Sequence, residues 1–167
     1  TCFADRVEYC SGGKGANQAV QAAKLGVPTY MVGCIGSDSQ GQFLKANIEQ
    51  YGVRTDYLRE VEGNSGMSVA HSLYDGGVRA SVVRGANDRV RKEDVDALEG
   101  FLKPGDIAVF QLEIPIPVVE YGISFCKAHG CYVILNGAPA APLEERVLKQ
   151  VNLFIVNEVE AGFYCGH

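Results

Sequence analysis

Gly12-Gly13-Lys14-Gly15 runs directly into Ala16-Asn17-Gln18-Ala19 and a small-residue helical pattern that continues to Leu25. Glycine lets a backbone approach a ligand closely and adopt positive φ. A helix beginning there offers free N–H donors and a partial positive charge. Lys14 adds a cation and Asn17 an amide, so the corner suits a polyhydroxylated or anionic small molecule. A tight turn with close helix packing would use the same glycines. No G-x-x-x-x-G-K-[ST] pattern exists, so this is not a Walker A loop.

The elements that must position this corner alternate between strand and helix. A short strand over Val7–Tyr9 feeds it. A helix follows over residues 16–25, stopped by Gly26 with Pro28 beyond. Tyr30–Ile35 reads as a buried strand and Gln42–Tyr51 as an amphipathic helix. Residues 57–84 change character: Met67, Val69, His71 and Leu73 alternate with smaller or polar residues before Asp75-Gly76-Gly77, a hairpin signal, and the stretch reads as an antiparallel excursion. Helix 92–102, strand Ile107–Gln111, helix 117–129, strand Tyr132–Leu135, helix 143–149 and strand Leu153–Val156 complete the pattern. Such alternation predicts an α/β chain with a largely parallel, helix-covered sheet.

Ligands bind at the carboxyl ends of strands in sheets of this kind. Those ends carry Gly36-Ser37-Asp38, Glu113, Asn136 and Asn157-Glu158-Val159-Glu160. Each also has an ordinary structural reading. Asp38 reads best as a residue at the start of a helix, and Glu113 could be a loop acid. Asn157 could cap the last helix while Glu160 completes a capping box. His71, on an alternating strand, reads as structural.

At 167 residues the chain has the length of one ordinary domain. A net charge of −5 and the lack of a basic stripe argue against a nucleic-acid partner. No apolar run approaches the roughly 18 residues of a membrane span. The six cysteines form no C-x-x-C pair, and most sit in apolar stretches that suit the core of a cytoplasmic protein.

The ordered motifs together resemble the ribokinase-like (PfkB-type) carbohydrate kinases, and the ribokinase branch most closely. Gly12, Gly13, Gly15, Asn17, Ala19, Gly26 and Gly36 fall in register with the family's amino-terminal signature. Further matches are Gly85-Ala86-Asn87, Gln111-Leu112-Glu113, Asn136-Gly137-Ala138-Pro139-Ala140 and Asn157-Glu158-Val159-Glu160-Ala161. Gly137 departs from the proline usual in the ribokinase version. The resemblance covers essentially the whole chain and implies a three-layer α/β/α sandwich with a small antiparallel β lid.

It also implies ATP-dependent phosphorylation of a sugar hydroxyl, ribose to ribose 5-phosphate, with another sugar or a nucleoside as the alternative acceptor. A non-catalytic sugar-binding module is the reading from another class. Gly13, Lys14, Asn17 and Glu113 would contact the sugar. Asn136 would lie near the transferring phosphate, and Asn157 and Glu160 by the Mg2+–phosphate assembly, Glu160 through water. A monovalent cation is a further expectation. Residues 7–10 and about 57–84 would build the lid, through which the protein would form a homodimer. The family's first strand is expected before Thr1, and its catalytic Asp, with most of the ATP site, after His167. Residues 1–167 would then be the amino-terminal portion of one kinase domain, truncated at both ends and inactive alone.

Overall fold

The computed structural model describes residues 6, 8–72 and 77–166. Seven strands and six α-helices alternate through most of them. In chain order these are α1 (Lys14–Lys24), β1 (Tyr30–Gly36), α2 (Ser39–Gln50), β2 (Arg54–Val61), β3 (Met67–Ser72), β4 (Val78–Val83), α3 (Lys92–Asp96), β5 (Ile107–Phe110), α4 (Ile116–Ala128), β6 (Tyr132–Asn136), α5 (Glu145–Leu148), β7 (Leu153–Ile155) and α6 (Glu158–Cys165). A 3-10 turn, Gly85–Arg89, links β4 to α3. β1 pairs with β2 in parallel, and β5, β6 and β7 form a second parallel ladder in that order. Among the described residues β3 and β4 pair only with each other, antiparallel, with Met67 opposite Val83 and Ala70 opposite Ala80.

The α/β expectation therefore holds, with three corrections. Residues 57–61 do not join the antiparallel excursion: they belong to β2, which runs parallel to β1. Helix 92–102 stops at Asp96, and i→i+3 bonds from Leu98 N–H to the Val95 carbonyl and from Phe101 N–H to the Leu98 carbonyl continue it as turns. Glu8–Cys10 form no strand, because no described strand offers them a ladder partner. Val7 and Asp75-Gly76, part of the expected strand and hairpin turn, lie outside the described residues.

Coverage of the sheets differs. On β1–β2, Met31 and Leu58 pack under α1 and α2 with Ala19, Ile48 and Val53. The opposite face sends Cys34 and Val61 into a cluster with Ala86, Val90, Val95 and Val118. The β5–β7 ladder buries Val133 and Leu135 against Val119, Ile123 and Cys126 of α4. Its other face leaves Ile107, Val109, Tyr132, Leu153 and Ile155 exposed. Helix α4 supplies Val118 to one cluster and Val119 and Ile123 to another, so it joins the two ladders.

One ion pair at the margin of the core joins β2 to α3, with Asp94 buried and Arg59 half-buried. Arg59 grips Asp94 with Nε at 2.5 Å and Nη2 at 2.8 Å. Arg91 N–H donates to the same carboxylate at 2.9 Å, and the Cys34 thiol lies 3.8 Å from it. Burial alone would raise the Asp94 carboxyl, but the Arg59 guanidinium and the Arg91 N–H outweigh it and hold it below its ordinary value of 3.8. Burial likewise pushes the Cys34 thiol up to about 11 and Cys126 to about 12, which suits the core role read from sequence. Cys131 is also buried, whereas Cys10 and Cys165 are exposed.

Asp94→Ala deletes the charge-assisted bonds from Arg59, whose own side chain is 32% exposed and can be solvated, and orphans the Arg91 N–H, so it should lose about 2 kcal/mol in urea unfolding. Lys45→Ala, which breaks the exposed 4.0 Å pair with Glu49, should change it by less than about 0.5 kcal/mol. Because the folded carboxyl titrates low, the Asp94 contribution is complete above the unfolded pKa and fades as pH falls through the folded one. The wild-type and Asp94→Ala curves should therefore converge below about pH 4. Parallel curves down to pH 2 would contradict this assignment.

Candidate functional site

Gly13 takes φ 96° and ψ 137° immediately before α1, a conformation that an L side chain rarely adopts. It carries no side chain to cap the helix, so the first N–H groups must find acceptors elsewhere. One acceptor comes from far along the chain. Lys14 N–H donates to Glu113 Oε2 at 3.2 Å, across 99 positions of sequence. Glu113 follows the carboxyl end of β5, so this bond joins the glycine corner to the strand edge. A carboxylate facing a helix amino terminus is also favoured by the helix dipole.

A second contact braces the same junction. Gln111 Nε2 donates to Gln18 Oε1, and a Cβ on Gly15 would lie 3.0 Å from Gln111 Oε1 and 3.2 Å from Met31 Cε. Gly15 thus lets the Gln111 side chain and Met31 close around α1. Asn17 is exposed, one turn into the helix. The geometry brings together Gly13, Lys14 and Glu113. Sequence reasoning gave Gln18 and Gln111 no role, because their pairing spans 93 positions and carries no local signal.

Asn136 is the last residue of β6, and Asn157 follows β7 by two residues, so both stand at carboxyl ends of parallel strands. Asn157 caps α6. Its Oδ1 accepts Glu160 N–H at 2.8 Å, while Asn157 N–H donates to Glu160 Oε2 at 3.0 Å. The structural reading of this pair is therefore satisfied, and Glu160 Oε1 is left without a partner among the described residues. Gly137, the departure from the family pattern, is tightly packed: a Cβ there would lie 2.9 Å from the Phe154 ring and 3.0 Å from Val156 Cγ1. Gly105-Asp106 sits in a turn before β5, with Asp106 Oδ2 accepting Lys103 N–H at 2.9 Å, and has no part in this edge.

Asp38 caps α2 through Gly41 N–H at 2.8 Å and also binds Ser65 twice, a connection the sequence does not announce. Burial would raise its carboxyl, but the donors from Ser65 and Gly41 prevail and hold it low. Among the described residues no three His, Cys, Asp or Glu side chains gather as a metal cluster, and no helix is long and apolar enough to cross a membrane. Mg2+ commonly binds proteins through one or two carboxylates, with water and substrate phosphates completing the shell. A single free oxygen of Glu160 fits that mode through water. Two hollows, of about 300 Å³ beside Tyr121 and about 610 Å³ beside Arg54, include neither Lys14 nor Glu113 in their linings.

Residues 4–167 match the pfkB family carbohydrate kinase profile. The chain is 39% identical over 152 residues to ribokinase of Bacillus subtilis, covering 90% of this chain and 52% of that protein. It is 34% identical to deoxyribokinase of Salmonella typhimurium, covering 93% and 51%. The structure of Arabidopsis thaliana ribokinase complexed with ribose and ATP superposes with a TM-score of 0.86 at 30% identity, over 99% of this chain and 55% of that one. The chain thus spans about half the length of the relatives it matches, and its parallel ladders with a small antiparallel pair are the ribokinase-like α/β fold.

Glu113→Ala removes both an acceptor and a negative charge from the start of α1. It should lower stability by about 1 kcal/mol and speed exchange of the Lys14 amide. An unchanged Lys14 amide in NMR-detected exchange would show that the 3.2 Å contact is not made in solution.

Proposed function

Because the chain belongs to the pfkB family of carbohydrate kinases, we propose that it supplies the sugar-holding part of an ATP-dependent pentose kinase. Its acceptor is ribose, converted to ribose 5-phosphate. The observation that carries this reading is the Lys14–Glu113 contact, which sets a carboxylate and a glycine-lined helix start at one strand edge. A sugar offers hydroxyls that can donate to Glu113 and accept from Lys14 and Asn17, while Gly13 admits the ring close to the backbone. 2-Deoxyribose is the competing acceptor, favoured by the likeness to the Salmonella deoxyribokinase.

Phosphoryl transfer needs an attacking hydroxyl held in line, a proton acceptor and neutralised phosphate charge. In this reading Glu113 fixes the sugar's orientation, and Asn136 lies beside the incoming phosphate. Asn157 and Glu160 hold the Mg2+ shell through water, and that ion supplies charge neutralisation when bound. No residue here is assigned as the base, a role worth roughly 10²–10⁴-fold, so the chain alone binds sugar without transferring phosphate. A monovalent-cation site and most of the nucleotide site are likewise assigned outside it.

The β3–β4 hairpin serves as the lid. Met67, Val69 and Val83 lie exposed on one of its faces, which supports a homodimer formed through it. The free thiols of the described cysteines support a reducing, cytoplasmic setting.

Isothermal titration of the chain should show binding of D-ribose, weaker for 2-deoxyribose, and no turnover of ATP in a coupled assay. Glu113→Gln should weaken ribose binding by about ten-fold or more. Preference for a nucleoside would remove the pentose assignment, and indifference to every sugar would remove the sugar-holding role. Turnover by the chain alone would place a base within it.

A further inference from the structure

The β3–β4 hairpin stands away from the packed layers: residues 67–70 and 80–84 are all exposed. Its base, in contrast, is among the tightest places in the molecule. Ser65 Oγ donates to Asp38 Oδ1 at 2.7 Å, and Ser65 N–H donates to Asp38 Oδ2 at 2.9 Å. The same Ser65 oxygen accepts Gly36 N–H at 2.9 Å, and the Ser65 side chain is buried. Asp38 meanwhile caps α2 through Gly41 N–H. The Asp38 carboxylate therefore holds the start of α2 and the outgoing leg of the hairpin, and Ser65 carries the link on to the end of β1.

The returning leg is stitched to the outgoing one. Ala86 N–H donates to the Asn64 carbonyl at 2.9 Å. Gly85, at φ +52°, would place a Cβ 2.5 Å from that carbonyl and 2.7 Å from the Ser65 carbonyl. A Cβ on Gly36 would fall 2.4 Å from both the Gly63 carbonyl and Ser65 N. These obstacles are backbone, which cannot turn aside as a flexible side chain can. The glycines permit the crossing, and Asp38 and Ser65 lock it.

We infer that Asp38 and Ser65 are positioning residues: a latch that fixes the stationary jaw of the hairpin, so that its movement begins beyond Ser65, at Gly66 and Arg84. Ser65 is held by three hydrogen bonds, whereas among the described residues β3 and β4 take their ladder bonds from each other. Local opening is least costly where buried contacts are few, so the break between rigid and mobile backbone falls at this residue. The latch joins the hairpin to the carboxyl end of β1, on the ligand-binding edge of a parallel strand. The part of the inference that concerns closure over a sugar rests on the function proposed above.

Hydrogen exchange resolved by mass spectrometry tests it on the ligand-free chain. Ser65→Ala removes the two side-chain bonds but leaves the Asp38–Gly41 cap in place. Amides of residues 67–70 and 80–83 should then exchange about ten-fold faster, while those of α2 stay within about two-fold of wild type. Asp38→Asn is a second, nearly isosteric variant. It keeps an acceptor for Gly41 and sets an amide NH2 against Ser65 N–H, so the hairpin should again loosen selectively. Ser39→Ala, at the same corner but outside the latch, should change neither segment. Unchanged hairpin exchange in both latch variants, or equal acceleration of hairpin and α2, would overturn the inference. With saturating D-ribose, the wild-type hairpin should slow and the Ser65→Ala hairpin should not. A wild-type chain indifferent to ribose would count against the proposed function, and the ligand-free comparison would still decide the latch.

Discussion

A carboxylate set against the first free N–H of a helix is the contact on which the candidate site rests. Glu113 and Lys14 are 99 residues apart in sequence, and nothing local holds them together. Their meeting requires α1 to start where Gly13 turns into left-handed space and β5 to end beside that start. Helix α4, which begins just after Glu113, must also stay anchored to both ladders. Each condition has a different cause. Gly13 supplies backbone freedom, the Gln18–Gln111 pair braces the junction, and Val118, Val119 and Ile123 fix α4. A shift of α4 would move Glu113 with it, so packing beneath the sheet controls the polar geometry at its edge.

The turn at the glycine corner could be read from sequence because it is local. Residue types at fixed offsets defined Gly13, Lys14 and Asn17 before any tertiary contact was known. The strand-end rule also selected Glu113, Asn136 and Asn157 correctly as edge residues, since parallel strands share one polarity. β2 was misread for a physical reason. Among the described strands it has one ladder neighbour, and within residues 57–61 the exposed Glu60 between partly buried Arg59 and Val61 gives the alternation usual in antiparallel strands. Arg59 hides further, because its charge is directed inward and matched by Asp94. The end of α3 was misjudged because apolar residues three apart, Val95, Leu98 and Phe101, suit successive turns as well as a helix.

Asn157 and Glu160 show how one motif can satisfy two demands. Their reciprocal hydrogen bonds close the amino terminus of α6 and immobilise Glu160, whose side chain is buried. A carboxylate fixed in this way presents a single remaining oxygen in a set direction. Capping is thus a means of orientation, and a ligand role would add to it without competing for the same atom. The same economy occurs at Asp38, which caps α2 with one oxygen and secures Ser65 with both.

The molecule combines two kinds of restraint. Around β1–β2, both faces are covered and the half-buried Arg59–Asp94 pair ties sheet to helix. Beyond Ser65, residues 67–70 and 80–84 are exposed, and among the described strands the hairpin has no second ladder neighbour. Opening free energy follows buried contacts, so it must drop sharply between Ser65 and Met67. Had the base been loose as well, the hairpin could approach the glycine corner from any direction, and ordering it would cost more conformational entropy. A tight base restricts that search to rotations about a few bonds at Gly66 and Arg84. Rigidity at the pivot is therefore what makes freedom at the tip directional.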